Sequence, residues 1–484
     1  MSMNVALLIA KEEWRYWGRS RLGVTASIAA LVLVIASIAS TAQRINAEQI
    51  ERAQFQQTAT DTFQSQPARH PHRMVHYGHY VLRTPAPLAV LDPGVDAFAG
   101  TMMFLECHRQ NSAVFSPRYS AAQAGPFAQL TPAFAYQVLV PLLLIIIGFS
   151  ALSREHEAKT ASILLASSIT PLQLWYGKTL ALIAAALFLL LPLALALLYA
   201  MARDESALIG IVFLAGYALY LIFWCFLISG FSALARRSSS ALAYQLAAWV
   251  LLVIITPRLA ATAADVLSPV DGKIATDLKI AEAIRQIGDG HNAEDPAFTK
   301  LKNELLEQYE VDDIAKLPIN FRGVVAQYSE AKLTDVLNEF AQRRMDQELR
   351  QTRLMHFLGV LSPTLATRSF STATASTDLW QYHRFLNEAE ALRFDFVQKL
   401  NAVHIGELDY HDDMNRGANA AASQKARVSA DNWRVLEDFS WQPGNTGERI
   451  LRALPHTLLL IFWCAVTGFL SARITQQILG NHDG

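Results

Sequence analysis

The chain has 484 residues, a formal net charge of -1, a charged fraction of 17 % and a hydrophobic fraction of 52 %. Soluble domains usually carry about a quarter charged residues, and the positive mean hydropathy of +0.21 comes from a few long apolar runs. This excludes disorder, collagen-like repeats and a simple soluble enzyme. No Lys/Arg stripe or basic excess supports a nucleic-acid partner. The pattern is that of an integral membrane protein with a large water-exposed part.

Residues 1–21 come first. Val5, Leu8 and Ile9 follow roughly helical spacing, and Trp14, Tyr16 and Trp17 stand near the first apolar run. Aromatic rings favour the headgroup level of a bilayer and Lys/Arg snorkel there, so this segment predicts an interfacial helix. A bilayer core needs about 20 mostly apolar helical residues. Six stretches qualify: 22–41, 132–150, 179–201, 207–234, 240–256 and 454–474. The fold class expected is an all-α polytopic membrane protein. It has six transmembrane helices and a large, mainly helical extracytoplasmic domain between spans five and six.

Basic residues vote on orientation. Lys11, Arg15, Arg19, Arg21, Arg154, Lys159, Lys178, Arg236, Arg237 and Arg473 all fall on one side. Both termini, including the tail 475–484, are therefore expected in the cytoplasm. Residues 42–131 and 257–453 are then outside. In the first outer segment one helix is expected near 45–58, followed by irregular chain. The second carries helical patterns near 273–287, 297–310, 328–356, 376–402 and 423–436. On the cytoplasmic side, 151–178 contains SREHEAKTASILLASSITPLQLWYGK, which reads as an amphipathic helix-turn-helix lying against the membrane and placed to receive a push from a soluble partner. An ordinary connecting loop is the alternative.

Little else carries chemistry. His70, His72, His76 and His79 place four imidazoles in ten residues, a weak candidate for copper, zinc or nickel. With no cysteine partner or defined helical register, solvated histidines are the expectation, and no metal site is assigned. His404, Glu407 and His411 do not form HExxH. Asp378 and His383 suggest a buried polar pair beside the Ser362-Pro363 turn. Cys107 lies in an expected aqueous loop, where an inter-chain bridge stays open. No GxxxxGK[ST] is present, so ATP is not expected to bind this chain in the P-loop manner. No catalytic residues are assigned, and an enzyme is not expected.

Two segments resemble a known family. Glu155, Glu157, Thr160, Leu164, Leu165, Ser167, Pro171, Gly177 and Lys178 match the cytoplasmic segment of ABC-2 type permeases, with Lys159 where a Gly commonly precedes the Thr. Ser362, Pro363, Thr377, Asp378, His383 and Phe385 resemble the branch whose outer domain is DUF3526. The resemblance implies the membrane-spanning permease subunit of an ATP-binding-cassette exporter in the bacterial inner membrane. The chain itself would bind no cofactor. ATP and Mg would sit on a separate ATPase subunit, and a second permease copy or homologous permease would complete the assembly within membrane lipid. Glu155, Glu157, Thr160, Leu164, Leu165, Pro171, Gly177 and Lys178 would couple the permease to that ATPase. The competing reading is a membrane-anchored sensor or scaffold with an outer binding domain.

Overall fold

A computed structural model describes residues 3–113, 130–288, 290, 292–435 and 439–480. Positions 114–129 of the first outer segment, 436 of the expected helix 423–436 and 481–484 of the expected tail lie outside the described residues. Among the described residues six helices are long and apolar enough to cross a membrane. A large, mostly helical domain sits between the fifth and the sixth, as the hydropathy pattern predicts.

The amino-terminal helix Met3–Arg19 ends at Ser20, whose side chain accepts from the Gly23 N–H and caps the next helix. That helix runs without a break from Arg21 to Gln64. At 1.5 Å per residue its length is about 66 Å, twice the roughly 30 Å of a bilayer core. The separate helix expected at 45–58 is thus the upper half of span one. The stretch has no Gly or Pro, is rich in Ala, Gln and Glu, and carries Arg44–Glu48–Arg52 at i,i+4 spacing.

Three spans are interrupted close to a proline. Span two has a π-helical stretch at Ala135–Leu139 just before Pro141. Span three divides into Pro171–Leu189 and Leu191–Met201, with Pro192 at the division. Span five is π-helical over Val250–Ile255, just before Pro257. Proline lacks the N–H that would bond four residues back. Carbonyls near these breaks are taken up by side chains. Tyr220 donates to the Gln137 carbonyl at 2.7 Å, Tyr136 to Leu189 at 2.7 Å, and Trp249 to Val138 at 3.0 Å. Span four, Ala207–Leu234, is unbroken and supplies the centre of the core with Phe213, Tyr217, Tyr220, Phe223 and Trp224.

The large domain is not simply mounted on the bundle. Its long helix Phe321–Leu358 descends beside the second half of span five, Thr256–Leu267. The chain turns at Gly359–Leu361 and rises again as Pro363–Ala375, packed on spans four and six. The Ser362 hydroxyl donates to the Leu252 carbonyl, halfway along span five, at 2.7 Å. This second helix is a re-entrant element, missed in the sequence because its Ser/Thr/Ala run has little apolar periodicity.

The helix Leu379–Glu407 then packs along Phe321–Leu358. The segment between spans one and two folds into the same domain. Helix Pro71–Tyr77 lies on Leu379–Glu407, and an unforeseen antiparallel hairpin pairs His79–Leu82 with Met102–Leu105. Val81, Met103 and Leu105 share a core with Phe385, Ala389 and Trp441.

Candidate functional site

At the bundle end that carries the amino-terminal helix, the connection between spans two and three folds as two short helices, Ser153–Glu157 and Thr160–Ala166. Lys159 joins them at φ +58°, in the left-handed region that Gly adopts without a Cβ penalty. Thr170 caps the following helix. Its hydroxyl accepts from the Gln173 N–H, the Gln173 side chain accepts from the Thr170 N–H, and Pro171 occupies the first helical position.

An ionic cluster fastens this segment to its surroundings. The Lys178 ammonium lies 2.6 Å from Glu155 and also contacts Glu13, which in turn pairs with Arg154. Thr160 donates to the Glu155 carboxylate. Glu13 is 1 % exposed and Lys178 5 %, so each charge depends on the others. The Arg154 guanidinium also lies 3.9 Å from the Tyr16 ring centroid. Glu157 accepts from the Ser238 N–H at 3.1 Å and so holds the start of span five. A Cβ on Gly177 would stand 2.5 Å from Ile9 Cβ and 2.9 Å from the Ala6 carbonyl. Glycine there lets the amino-terminal helix lie directly on span three.

The candidate residues Glu155, Thr160 and Lys178 thus meet in one cluster, and Glu157, Pro171 and Gly177 shape its edges. Leu164 and Leu165 pack partly buried against Leu152, Leu174, Trp175 and Ile9. The outward apolar side chain is Ile163, 66 % exposed. Glu13, the hub, was not among the sequence candidates. Its signal is a carboxylate inside the amphipathic run VALLIAKEEWRYW.

The second constellation is the seat of the re-entrant helix. Tyr217 pairs with Ser371 at 2.8 Å and accepts from Gln137 at 3.0 Å, while Tyr220 lies 3.1 Å from the Thr364 hydroxyl. Ser371 donates to Asp92, whose other carboxylate oxygen accepts from the Gly94 N–H. Burial pushes the Asp92 carboxyl above its usual range against these hydrogen bonds. Arg449, opening span six, makes a bidentate pair with Glu205 at 2.7 and 3.0 Å and donates to the Thr374 carbonyl at 2.8 Å. A cation at a helix C-terminus is well placed for the helix dipole.

The outer motif residues belong to this seat and its flank. Pro363 opens the re-entrant helix, and Thr377 donates to the Asp92 carbonyl at 2.9 Å. Asp378 and His383 do not pair with each other. Asp378 accepts from the Gln381 N–H as helix cap and from Arg452, while His383 lies 2.8 Å from Glu348. Five positions, about 1.4 helical turns, separate the two side chains and turn them to different sides, and each finds a partner on a different neighbouring helix. Phe385 is fully buried in the hairpin core.

The histidine run is also redistributed. His70 is buried against Asp413 at 3.1 Å, beside His404 at 2.8 Å from the same carboxylate. His79 is buried next to Gln56. Neither is a solvated imidazole. His72 and His76 instead converge with His108. His411 lies on the short helix Tyr410–Met414, where its backbone N–H donates to the capping Asp409 at 2.9 Å and its side chain is exposed, away from the buried His404. Cys107 is 2 % exposed and sits against His76, so it offers no inter-chain bridge.

Residues 276–442 match the family described as domain of unknown function DUF3526. The match contains Ser362, Pro363, Thr377, Asp378, His383 and Phe385 and includes the re-entrant helix. No curated protein matches the chain at a significant level. A DUF3526 domain therefore sits within a polytopic helical membrane protein, folded into its bundle through Pro363–Ala375.

Proposed function

We propose that this chain is the membrane-spanning permease subunit of an ATP-binding-cassette exporter of the ABC-2 type, working in the inner membrane with both termini in the cytoplasm. ATP is hydrolysed on a separate subunit, and a second permease completes the pathway. The observation that carries this reading is the cluster of Glu13, Arg154, Glu155 and Lys178. It binds the short helices Ser153–Glu157 and Thr160–Ala166 to both the amino-terminal helix and the start of span three. A loop that only connects two spans needs no such brace. A force applied at Ile163 is delivered to two rigid elements at once.

The test is co-purification of the untruncated chain from its native membrane in mild detergent. A soluble ATPase is expected, and Ile163→Asp should release it while the permease stays folded, because Ile163 faces outward. Recovery of outer-side proteins alone, with no ATPase, overturns the reading and favours a sensor. A cavity of about 260 Å³ in the large domain, lined by Lys273, Phe340, Arg344, Glu348, Tyr382 and His383, would then be the ligand site.

A further inference from the structure

We propose that His72, His76 and His108 form a binding site for a late first-row divalent cation, with Zn²⁺ the best fit, on the large domain. His72 and His76 lie one turn apart on helix Pro71–Tyr77, with their Nε2 atoms 3.2 Å apart. Two nitrogens bound to one tetrahedral zinc at 2.0–2.1 Å are separated by about 3.3 Å. One ligand nitrogen from each of the three histidines lies within 4.8 Å of the others. Bringing His108 into the same tetrahedron takes a ring displacement of at most about 1.5 Å. Three imidazoles with an open side suit Zn²⁺, Cu²⁺ or Ni²⁺ over Mg²⁺ or Ca²⁺, which prefer oxygen.

The surrounding contacts match what a metal site requires of its outer ligands. A ligating imidazole donates its second N–H to a carboxylate or another acceptor, which fixes tautomer and ring angle. His108 Nδ1 lies 2.8 Å from Glu330, and the His108 backbone N–H reaches the same carboxylate oxygen at 3.1 Å. His76 Nδ1 lies 3.3 Å from the Cys107 sulfur. Both rings are thereby turned with Nε2 toward the centre. His108 holds this position at φ +61°, a backbone region that costs a non-glycine residue energy and recurs at ligand clamps. His76 is exposed and the other two half-buried, leaving a side open to water as fourth ligand.

The neighbouring cluster of His70, His404 and Asp413 makes the contrast. His70 Nδ1 accepts from the His72 N–H, so its Nε2 carries the proton and donates to Asp413. Arg416 pairs with the same carboxylate and Arg322 lies 3.6 Å from it. Two guanidiniums and two N–H donors already satisfy that site and would repel a cation.

Bound at the first cluster, the cation ties three pieces of chain together: helix Pro71–Tyr77, the loop after the hairpin, and, through Glu330, the long helix that leads down to the re-entrant turn. The test uses full-length protein in detergent, purified without a polyhistidine tag and dialysed against zinc chloride. We expect one zinc per chain by elemental analysis, and cobalt substitution should give the intense visible bands of a tetrahedral or five-coordinate ion. His72→Ala with His76→Ala should weaken binding by more than about tenfold and abolish the cobalt bands. His411→Ala, an exposed side chain outside the cluster, should change neither. His76 is exposed and His72 half-buried, and neither belongs to the packed apolar core, so the melting temperature without metal should stay close to the parent's. Zinc retained at parental affinity in the double variant, or no zinc in the parent, overturns the proposal.

Discussion

The close contact between span four and the re-entrant helix offers a direct test of whether Pro363–Ala375 sits inside the bundle. Gly216 faces Phe370, and a Cβ placed there would lie 2.0, 2.2 and 2.7 Å from three atoms of that ring. Ordinary carbon contacts begin near 3.5 Å, so Gly216→Ala forces the ring away by about 1–1.5 Å. Phe370 is fully buried beside Ala373 and Ala453 and has no open side to move into. Overpacking of this kind costs about 1–3 kcal/mol. If the strain is relieved by local opening of the re-entrant helix, amide exchange across Pro363–Ala375 should accelerate about 5- to 150-fold, since each 1.4 kcal/mol is a factor of ten. Hydrogen-exchange mass spectrometry in detergent or nanodiscs reads this directly. The second arm is Phe370→Leu, which removes the clashing ring edge and by itself leaves a cavity. In the double variant the two effects should partly cancel, giving a coupling free energy of about 1 kcal/mol or more between contacting residues. Unchanged exchange in Gly216→Ala, or strictly additive effects in the double variant, would falsify the placement of this helix against span four.

Other consequences follow from buried polar groups. Lys178→Met leaves Glu13 and Glu155 facing each other and should lower stability by about 3–5 kcal/mol, whereas pairing it with Glu13→Gln should recover much of that loss; thermal melts of the four proteins measure the difference. Tyr220→Phe strands the Gln137 carbonyl near the Pro141 break and should cost about 1–3 kcal/mol, visible as faster exchange in both span two and residues 363–367. The large domain should loosen in acid. Burial raises Asp413, but hydrogen bonds from His404 and His70 outweigh it and hold the carboxyl well below the usual range. Burial likewise raises Glu330, and His108 and Arg393 reverse the sign. Burial lowers His70 below its ordinary 6.5, against the Asp413 hydrogen bond. All three groups bind fewer protons folded than unfolded. Their stabilisation is complete above about pH 6.5, declines first through His70, and is lost further as pH falls below the ordinary carboxylate range near 4. Limited proteolysis of the domain between pH 7 and 4 should show cleavage increasing as pH falls, and a flat profile would refute the assignment.

The spans were legible because lipid leaves one reliable mark, an uncharged apolar run of helical length, and all six carry it. The long helices of the domain were legible from their periodicity. What escaped was wherever a polar sequence is buried by a partner distant in the chain. Thr364, Thr367, Ser371 and Thr374 are all fully buried, yet as a string of hydroxyls they read as loop. Several make back-bonds to their own helix, as Thr367 does to Pro363 and Thr374 to Phe370 at 2.8 Å. Others meet tyrosines of span four. His108 was likewise invisible as a partner of His72 and His76, because a hairpin brings it back across more than thirty residues. Glu13 could be seen as an acid in an amphipathic helix, but not as the partner of Lys178, 165 positions away.

These long-range contacts bear on how the two ends of the molecule can communicate. Energetic coupling needs contiguous rigid elements with more than one arrangement, not proximity alone. Span four touches the re-entrant helix through Tyr217 and Tyr220. At its other end, Ser232 accepts from the backbone N–H groups of Leu152 and Ser153, at the root of the short helices near Ile163. One unbroken helix therefore bonds to both constellations. Spans two, three and five, which flank it, are each interrupted near a proline and supply the bendable elements. A displacement at Ser153–Glu157 that rocks span four must either carry Pro363–Ala375 with it or break the tyrosine contacts. The first outcome transmits motion to the large domain, since the same chain rises through Asp378 into the helix Leu379–Glu407. The second gives up the Tyr217–Ser371 and Tyr220–Thr364 hydrogen bonds in a water-poor interior, at about 0.5–1.5 kcal/mol each. The hydrogen bonds at the seat thus favour a bundle and domain that move as one body, with the bending taken up at Pro141, Pro192 and Pro257.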